Sequence, residues 1–351
     1  MRVLAITNMY PAPEAPASGV FIEQQIQGLL SVGVNVQVLF VDRRREGAVA
    51  YYRMASAVRA AVEDFLPDLV HVMYGGVMAD QVVRQPGLPP VVITFHGSDL
   101  LGENLSGVIR KVVSHYGVFC SRRASARAKG VVIVARHLRA ALPSSISGQK
   151  ILILPCGVDL ERFKPVDQTA CRVQLGWSRD KCHAVFASAN NDPVKRPWLA
   201  EAAVARLAEK GINVELHRLS GVPNSLVPIW LNATDVLLLT SLHEGSPTIV
   251  KEALACGTPI VSVNVGDVAE RIEGVSGCHI VEAQPEAIAL SLKAVLQARQ
   301  RLTVGSELRN ICHLEVAHRL KDFYHEVVSL ERRARDELAS ETPLAPWNAV
   351  N

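Results

Sequence analysis

No stretch of this chain is apolar for long enough to cross a bilayer as a helix, which takes roughly 18–20 residues. The best run, Leu226 to Leu242, is broken by Asn232 and Asp235. Paired cysteine spacing is also lacking. The seven cysteines (Cys120, Cys156, Cys171, Cys182, Cys256, Cys278 and Cys312) are odd in number, and none forms a Cys-x-x-Cys pair. That argues against a disulfide frame or a zinc site and predicts reduced thiols. A secretory leader is not evident either: Val3–Ile6 is too short for its apolar core, and Asn8 and Pro11 follow at once. The expectation is a cytoplasmic protein that meets a membrane only from its surface. Charge of one sign is not in excess. A net charge of +3 from 37 Lys and Arg against 34 Asp and Glu gives no case for a nucleic-acid partner. Low-complexity tracts are missing, which excludes global disorder. No group of metal-ligating residues stands out, so no metal is expected.

What the chain does have is length and apolar content. Its 351 residues, 49% of them hydrophobic, can fill two cores of roughly 150–170 residues each. Short β-branched runs alternate with helical patterns. They are Val3–Thr7, Val36–Val41, Leu69–Met73, Val91–Phe95 and Val131–Ala135, then Ala184–Ala187, Val214–Arg218, Val236–Thr240, Pro259–Val263 and His279–Val281. This is the α/β pattern of parallel sheets covered on both faces, and it occurs twice. Pro155 to Pro165 reads as the connector between two doubly wound domains. Apolar residues from Leu314 to Val327 recur at helical spacing, and the pattern fails after Ser340.

Open parallel sheets bind ligands beyond the carboxyl ends of their strands. Four such loops carry chemistry. In Ser241–Glu252, Ser246 suits an N-cap and Pro247 a first helical residue. The amides near Thr248 and Ile249 then lack partners inside the helix and suit a phosphate or a sugar edge. Glu244 and Glu252 flank them as acceptors for paired hydroxyls. A capped helix with two solvated glutamates is the alternative. The loop after Ala189 offers Lys195 and Arg196, cations that oppose the helix dipole unless an anion binds. His96-Gly-Ser-Asp99 places a histidine at a strand end, as a structural group or a proton-transfer group. In Asn8–Gly19, Gly19 permits close backbone approach.

Glu244-x7-Glu252, followed by Ala253-Leu-Ala-Cys-Gly257-Thr-Pro-Ile-Val and Val265-Gly-Asp-Val-Ala-Glu270, resembles the signature of retaining family 4 glycosyltransferases. The connector Gly157–Pro165, Leu219-Ser-Gly-Val-Pro and Asn232–Asp235 resemble it too, so the likeness spans nearly the whole chain. The nearest flavour is cell-wall or capsular polysaccharide assembly of the teichuronic-acid type.

The resemblance implies a GT-B architecture of two Rossmann-like domains across a cleft. Residues 1–155 would form the acceptor side and 156–315 the nucleotide-sugar side, with a helix at 316–335 crossing back. It implies retaining transfer from a nucleotide-diphosphate sugar, without metal, to a glycan or polyprenyl-linked acceptor. Glu244 would hold donor-sugar hydroxyls and Glu252 the ribose. Gly245, Ser246, Pro247, Thr248 and Ile249 would face sugar and diphosphate, with Gly19 opposite. Ser220 and Gly221 would border the base. His96 would lie beside the sugar, and Asp99 would bind acceptor or cap a helix. Lys195 would neutralise the leaving diphosphate. The family's second cation, an arginine, falls here on Ala189 or Asn190, and Arg196 is the nearest substitute. Residues 108–130, basic and apolar together, read either as a membrane-surface segment or as an ordinary basic helix. Two other readings of the whole are a binding subunit without turnover and a nucleotide-sugar epimerase.

Overall fold

The β-branched runs form two separate parallel sheets. The computed structural model describes residues 1–15, 18–47, 49–102, 107–187, 192–303 and 305–341. The Ala189–Asn190 position and the segment from Thr342 lie outside the described residues.

The first sheet contains β1 (Arg2–Thr7), β2 (Asn35–Phe40), β3 (Leu69–Val72), β4 (Val91–Phe95), β5 (Gly130–Ile133) and β6 (Ile151–Ile153), in the order β2-β1-β3-β4-β5-β6. The second contains β7 (Cys182–Phe186), β8 (Val214–Arg218), β9 (Val236–Leu239), β10 (Ile260–Val263) and β11 (His279–Val281), in the order β11-β10-β9-β7-β8. Every strand expected is present. β6 is an addition: three residues between Lys150 and Leu154-Pro155 form the edge of the first sheet. The inner strands β3, β4, β5, β9 and β10 are buried along their whole length, because helices cover both faces. Strand order reverses beside β1 in one sheet and beside β7 in the other. A doubly wound sheet opens a crevice at such a reversal.

The helix His313–Glu341 belongs to the first core. Val316, Leu320, Phe323, Tyr324 and Val327 pack with Val3, Leu29, Leu69, Val92 and Val132. The Tyr324 hydroxyl meets His71 Nδ1 at 2.6 Å, and His71 Nε2 meets the Thr94 hydroxyl at 2.7 Å. Burial, helped by the neighbouring His96, lowers the His71 pKa to about 3, so the ring is neutral. The connector meets the returning chain directly. Val158 donates its amide to Ile311 at 2.8 Å and accepts from His313 at 2.9 Å. A side chain at Gly157 would start 2.6 Å from the His313 Cα, so this crossing requires glycine.

Candidate active site

The two crevices face each other, and glycines set how closely. A Cβ at Gly245, in the loop after β9, would stand 1.9 Å from the His96 carbonyl oxygen after β4. Gly97, at φ +123°, lies against the Gly245 main chain, and Gly266, at φ +60°, lies against Gly245 and Glu244. Main chain touches main chain across the cleft, where any side chain would separate the domains.

On the second-sheet side, Lys195 Nζ and Glu244 Oε1 form an ion pair at 2.6 Å, both part-exposed. Asp192 starts the turn that carries Lys195 by accepting the Val194 amide at 2.9 Å. Arg196 goes elsewhere. It adopts φ +50° and its guanidinium donates to the carbonyls of Thr240 at 2.6 Å and Ser241 at 3.1 Å. The Thr240 hydroxyl donates back to the Lys195 carbonyl at 2.7 Å. The role of spare diphosphate cation is therefore corrected: Arg196 clamps the Lys195 loop onto the end of β9.

The helix beyond Glu244 starts one residue later than the sequence suggests. It spans Thr248–Ala255, with Pro247 in the cap position and no side-chain acceptor for its first amides. Ser246 is not the cap. Its hydroxyl donates to Asp267 Oδ2 at 2.8 Å and accepts from Lys251 Nζ at 2.8 Å. Lys251 is fully buried, and burial pulls its pKa down, opposed by Cys156 and Asp267. Arg271 also donates to Asp267, at 2.8 Å. Sequence reasoning missed this Ser246–Lys251–Asp267 network, since nothing in the spacing of Lys251 distinguishes it from a solvated helix lysine. The Thr248 and Ile249 amides remain without intrahelical acceptors. Glu252 is buried on the same helix. Burial pushes its pKa up to about 7, against the pull of Arg162 and Lys251. Ser220 and Gly221 follow β8, and Gly221 has φ +68° with open space around it.

On the first-sheet side, His96 Nε2 lies 3.1 Å from the Met73 carbonyl. A carbonyl only accepts, so Nε2 carries the proton and Nδ1 the lone pair. Burial, with Lys251 adding to it, lowers the His96 pKa to about 4 against the Met73 bond, so the ring is neutral near pH 7. Cys156 Sγ is 3.8 Å from Nδ1. Asp99 is turned inward rather than toward an acceptor. It accepts the amides of Gly75, His96 and Gly97 at 2.9–3.0 Å, and burial raises its pKa to about 6. It braces the His96 loop. Gly19, at φ +69°, packs on the Met9 and Tyr10 main chain, where a Cβ would meet Met9 at 2.4 Å. Beside these loops lies a cavity of about 260 Å³ bounded by Asn8, Tyr51, Tyr74, Ser98 and Val113.

Two Rossmann-like domains with a crevice between them define the GT-B glycosyltransferase fold, and the comparisons agree. Residues 3–162 match the Glycosyltransferase Family 4 profile, and residues 161–298 match that of Glycosyl transferases group 1. The chain belongs to these glycosyltransferases. It is similar to a Bacillus subtilis (strain 168) protein that bears the name teichuronic acid biosynthesis glycosyltransferase TuaC, at 28% identity over 76% of this chain and 82% of that one. Among solved structures, sucrose-phosphate synthase from Thermosynechococcus elongatus superimposes with a TM-score of 0.70, at 16% identity, over 97% of this chain and 100% of that one. Anabaena HepE in complex with UDP-glucose gives 0.61 at 15% identity, over 97% and 100%.

Proposed function

We propose that this glycosyltransferase moves a sugar, with retention of configuration, from a nucleotide-diphosphate sugar to a glycan or lipid-linked glycan in cell-surface polysaccharide assembly. The carrying observation is the Lys195–Glu244 pair beside the open N-terminus of helix Thr248–Ala255, held against the His96 loop. Lys195 and the Thr248 and Ile249 amides supply positive charge for a diphosphate. Glu244 and Glu252 offer acceptors to the sugar and ribose hydroxyls. His96 Nδ1 offers a lone pair to a donor-sugar hydroxyl from across the cleft. Charge on the leaving diphosphate is met by these fixed groups, so the reading needs no metal at the reacting centre. The similarity to TuaC and the UDP-glucose complex of HepE support the reaction class and the donor class.

We also propose that the protein works from the surface of a membrane. Helix Val108–Arg127 exposes Val108, Ile109, Val112, Val113, Tyr116 and Phe119 next to the exposed cations Arg110, Lys111 and Arg122. Among the described residues, no helix is long and apolar enough to cross the bilayer.

The turning away of Arg196 favours a second reading, a sugar-nucleotide-binding subunit without turnover. Incubation with UDP-, GDP-, ADP- and dTDP-sugars and a lipid-linked glycan tests both. Transfer with retained anomeric configuration and magnesium-independent rate supports the first. Nucleotide binding with neither transfer nor donor hydrolysis supports the second.

A further inference from the structure

Away from the cleft, three side chains with ligating atoms meet on one face of the second sheet. β7 and β8 pair in parallel with His183 opposite Glu215. Residues two apart in a strand share a face, so His217 joins them. His183 Nδ1 lies 2.8 Å from His217 Nε2, and Glu215 Oε2 lies 3.4 Å and 3.9 Å from those two atoms. The three ligand atoms all fall within 4.8 Å of one another.

Each group is oriented from behind. His183 is fully buried, and its Nε2 is 2.7 Å from the Ser178 carbonyl. Nε2 must therefore donate, which leaves the Nδ1 lone pair aimed into the cluster. The proton in the 2.8 Å contact then belongs to His217 Nε2. Trp177 stacks on the His217 ring with centroids 3.6 Å apart and planes 6° from parallel. Lys181 Nζ holds the outer oxygen of Glu215 at 2.5 Å. Burial and the neighbouring His183 lower the His217 pKa to about 4, so this ring is neutral near pH 7. Such backing of ligands by fixed partners is what metal sites use to set tautomer and direction. Two imidazoles and one carboxylate suit zinc or a similar borderline cation, whereas magnesium and calcium take oxygen ligands. Glu215 and His217 are part-exposed, which leaves a fourth position to water.

We propose that His183 Nδ1, Glu215 Oε2 and His217 Nε2 form a binding site for one zinc-class divalent cation, tying edge strand β8 to β7. Tetrahedral ligands at 2.0–2.1 Å from zinc stand about 3.4 Å apart, so the imidazoles must separate by about half an ångström. Binding at His217 Nε2 requires the ring's one proton to move to Nδ1, so the neutral imidazole changes tautomer and sheds no proton. The site shares no residue with the cleft.

The test is calorimetric titration of the chelator-treated full chain with zinc chloride near neutral pH. Glu215→Gln and His217→Gln are run alongside, each checked for folding by its melting curve in chelator. The expected result is one saturable site, a melting temperature raised by zinc and not by magnesium, and zinc affinity lowered at least about tenfold in each variant. No saturable binding at micromolar zinc overturns the proposal and leaves the histidines as a hydrogen-bonded pair. Parent-like zinc binding by both variants overturns it too, placing the metal on other histidines or cysteines.

Discussion

At Lys195 and Arg196 two adjacent cations face different partners. Arg196 takes a left-handed backbone and spends its guanidinium on the Thr240 and Ser241 carbonyls, while Lys195 reaches Glu244 in the cleft. Their substitutions should therefore read differently. Lys195→Ala is expected to lower kcat roughly a hundredfold or more, as loss of a preorganised charge does, with the melting temperature nearly unchanged. Arg196→Ala is expected to lower the melting temperature as well, because it strips the clamp from the end of β9. Steady-state kinetics beside melting curves check both. An Arg196→Ala enzyme that melts like its parent would refute the clamp.

Glu252 belongs to the same scale. Burial raises its folded pKa to about 7, above the roughly 4.5 of a free glutamate. A raised carboxyl binds its proton more tightly in the folded state, so its contribution to stability is present at low pH and is lost as pH rises from about 4.5 through 7. Glu252→Gln carries no such loss. The melting temperature of the variant relative to the parent should climb across that window, while affinity for nucleoside diphosphate falls. A difference that does not vary with pH counts against a buried, titrating Glu252.

At the scale of elements, the glycine contact of the cleft can be tested directly. Gly245→Ala puts a methyl group at 1.9 Å from the His96 carbonyl oxygen. Both domains should fold as before and stand further apart, since neither core is touched. A displacement of about 1 Å at reacting groups can cost a hundredfold in rate. Turnover should fall by about that much, with circular dichroism unchanged and a larger radius of gyration in small-angle scattering. Normal turnover would mean that the cleft works without this contact.

The elements also show what the sequence made legible. Strands such as β4 and β9 are short, apolar but for Thr94, and bounded by loops, so each could be read one at a time. β6 could not: Ile151–Ile153 is three residues against a proline, and only the partner strand β5 makes it a strand. Glu244 and Glu252 were legible because seven residues of one loop and helix separate them. Lys251 and Asp267 were not, because burial alone distinguishes Lys251 from a surface lysine. His183 and His217 lie 34 residues apart and meet only through the register of β7 with β8.

At the scale of the whole molecule, the exposed face of helix Val108–Arg127 should make lipid association depend on charge. Cosedimentation is expected with vesicles containing phosphatidylglycerol and to be weaker with pure phosphatidylcholine, falling as salt rises. Val112→Ser with Tyr116→Ser should reduce it while leaving transfer to a soluble acceptor intact. Equal recovery with both vesicle types would exclude an electrostatic component. Contacts of long sequence separation lie elsewhere in the fold; one joins His71 and Tyr324, which bond across 253 residues of sequence.

That bond carries a consequence for how the protein is made. The first sheet is complete in the chain by residue 153, yet the helix that covers one of its faces, His313–Glu341, follows only after the whole second sheet. At 5–20 residues per second, those 253 residues take roughly 13–50 s to synthesise. Over that interval Val3, Leu69 and Val92 have no Phe323 or Tyr324 to pack against. The first domain is synthesised ahead of the second and cannot close ahead of it. The second domain, contiguous from the connector to the crossing at Cys312, can complete its core earlier. An emerging chain thus offers a chaperone an apolar sheet face whose natural cover is the helix His313–Glu341.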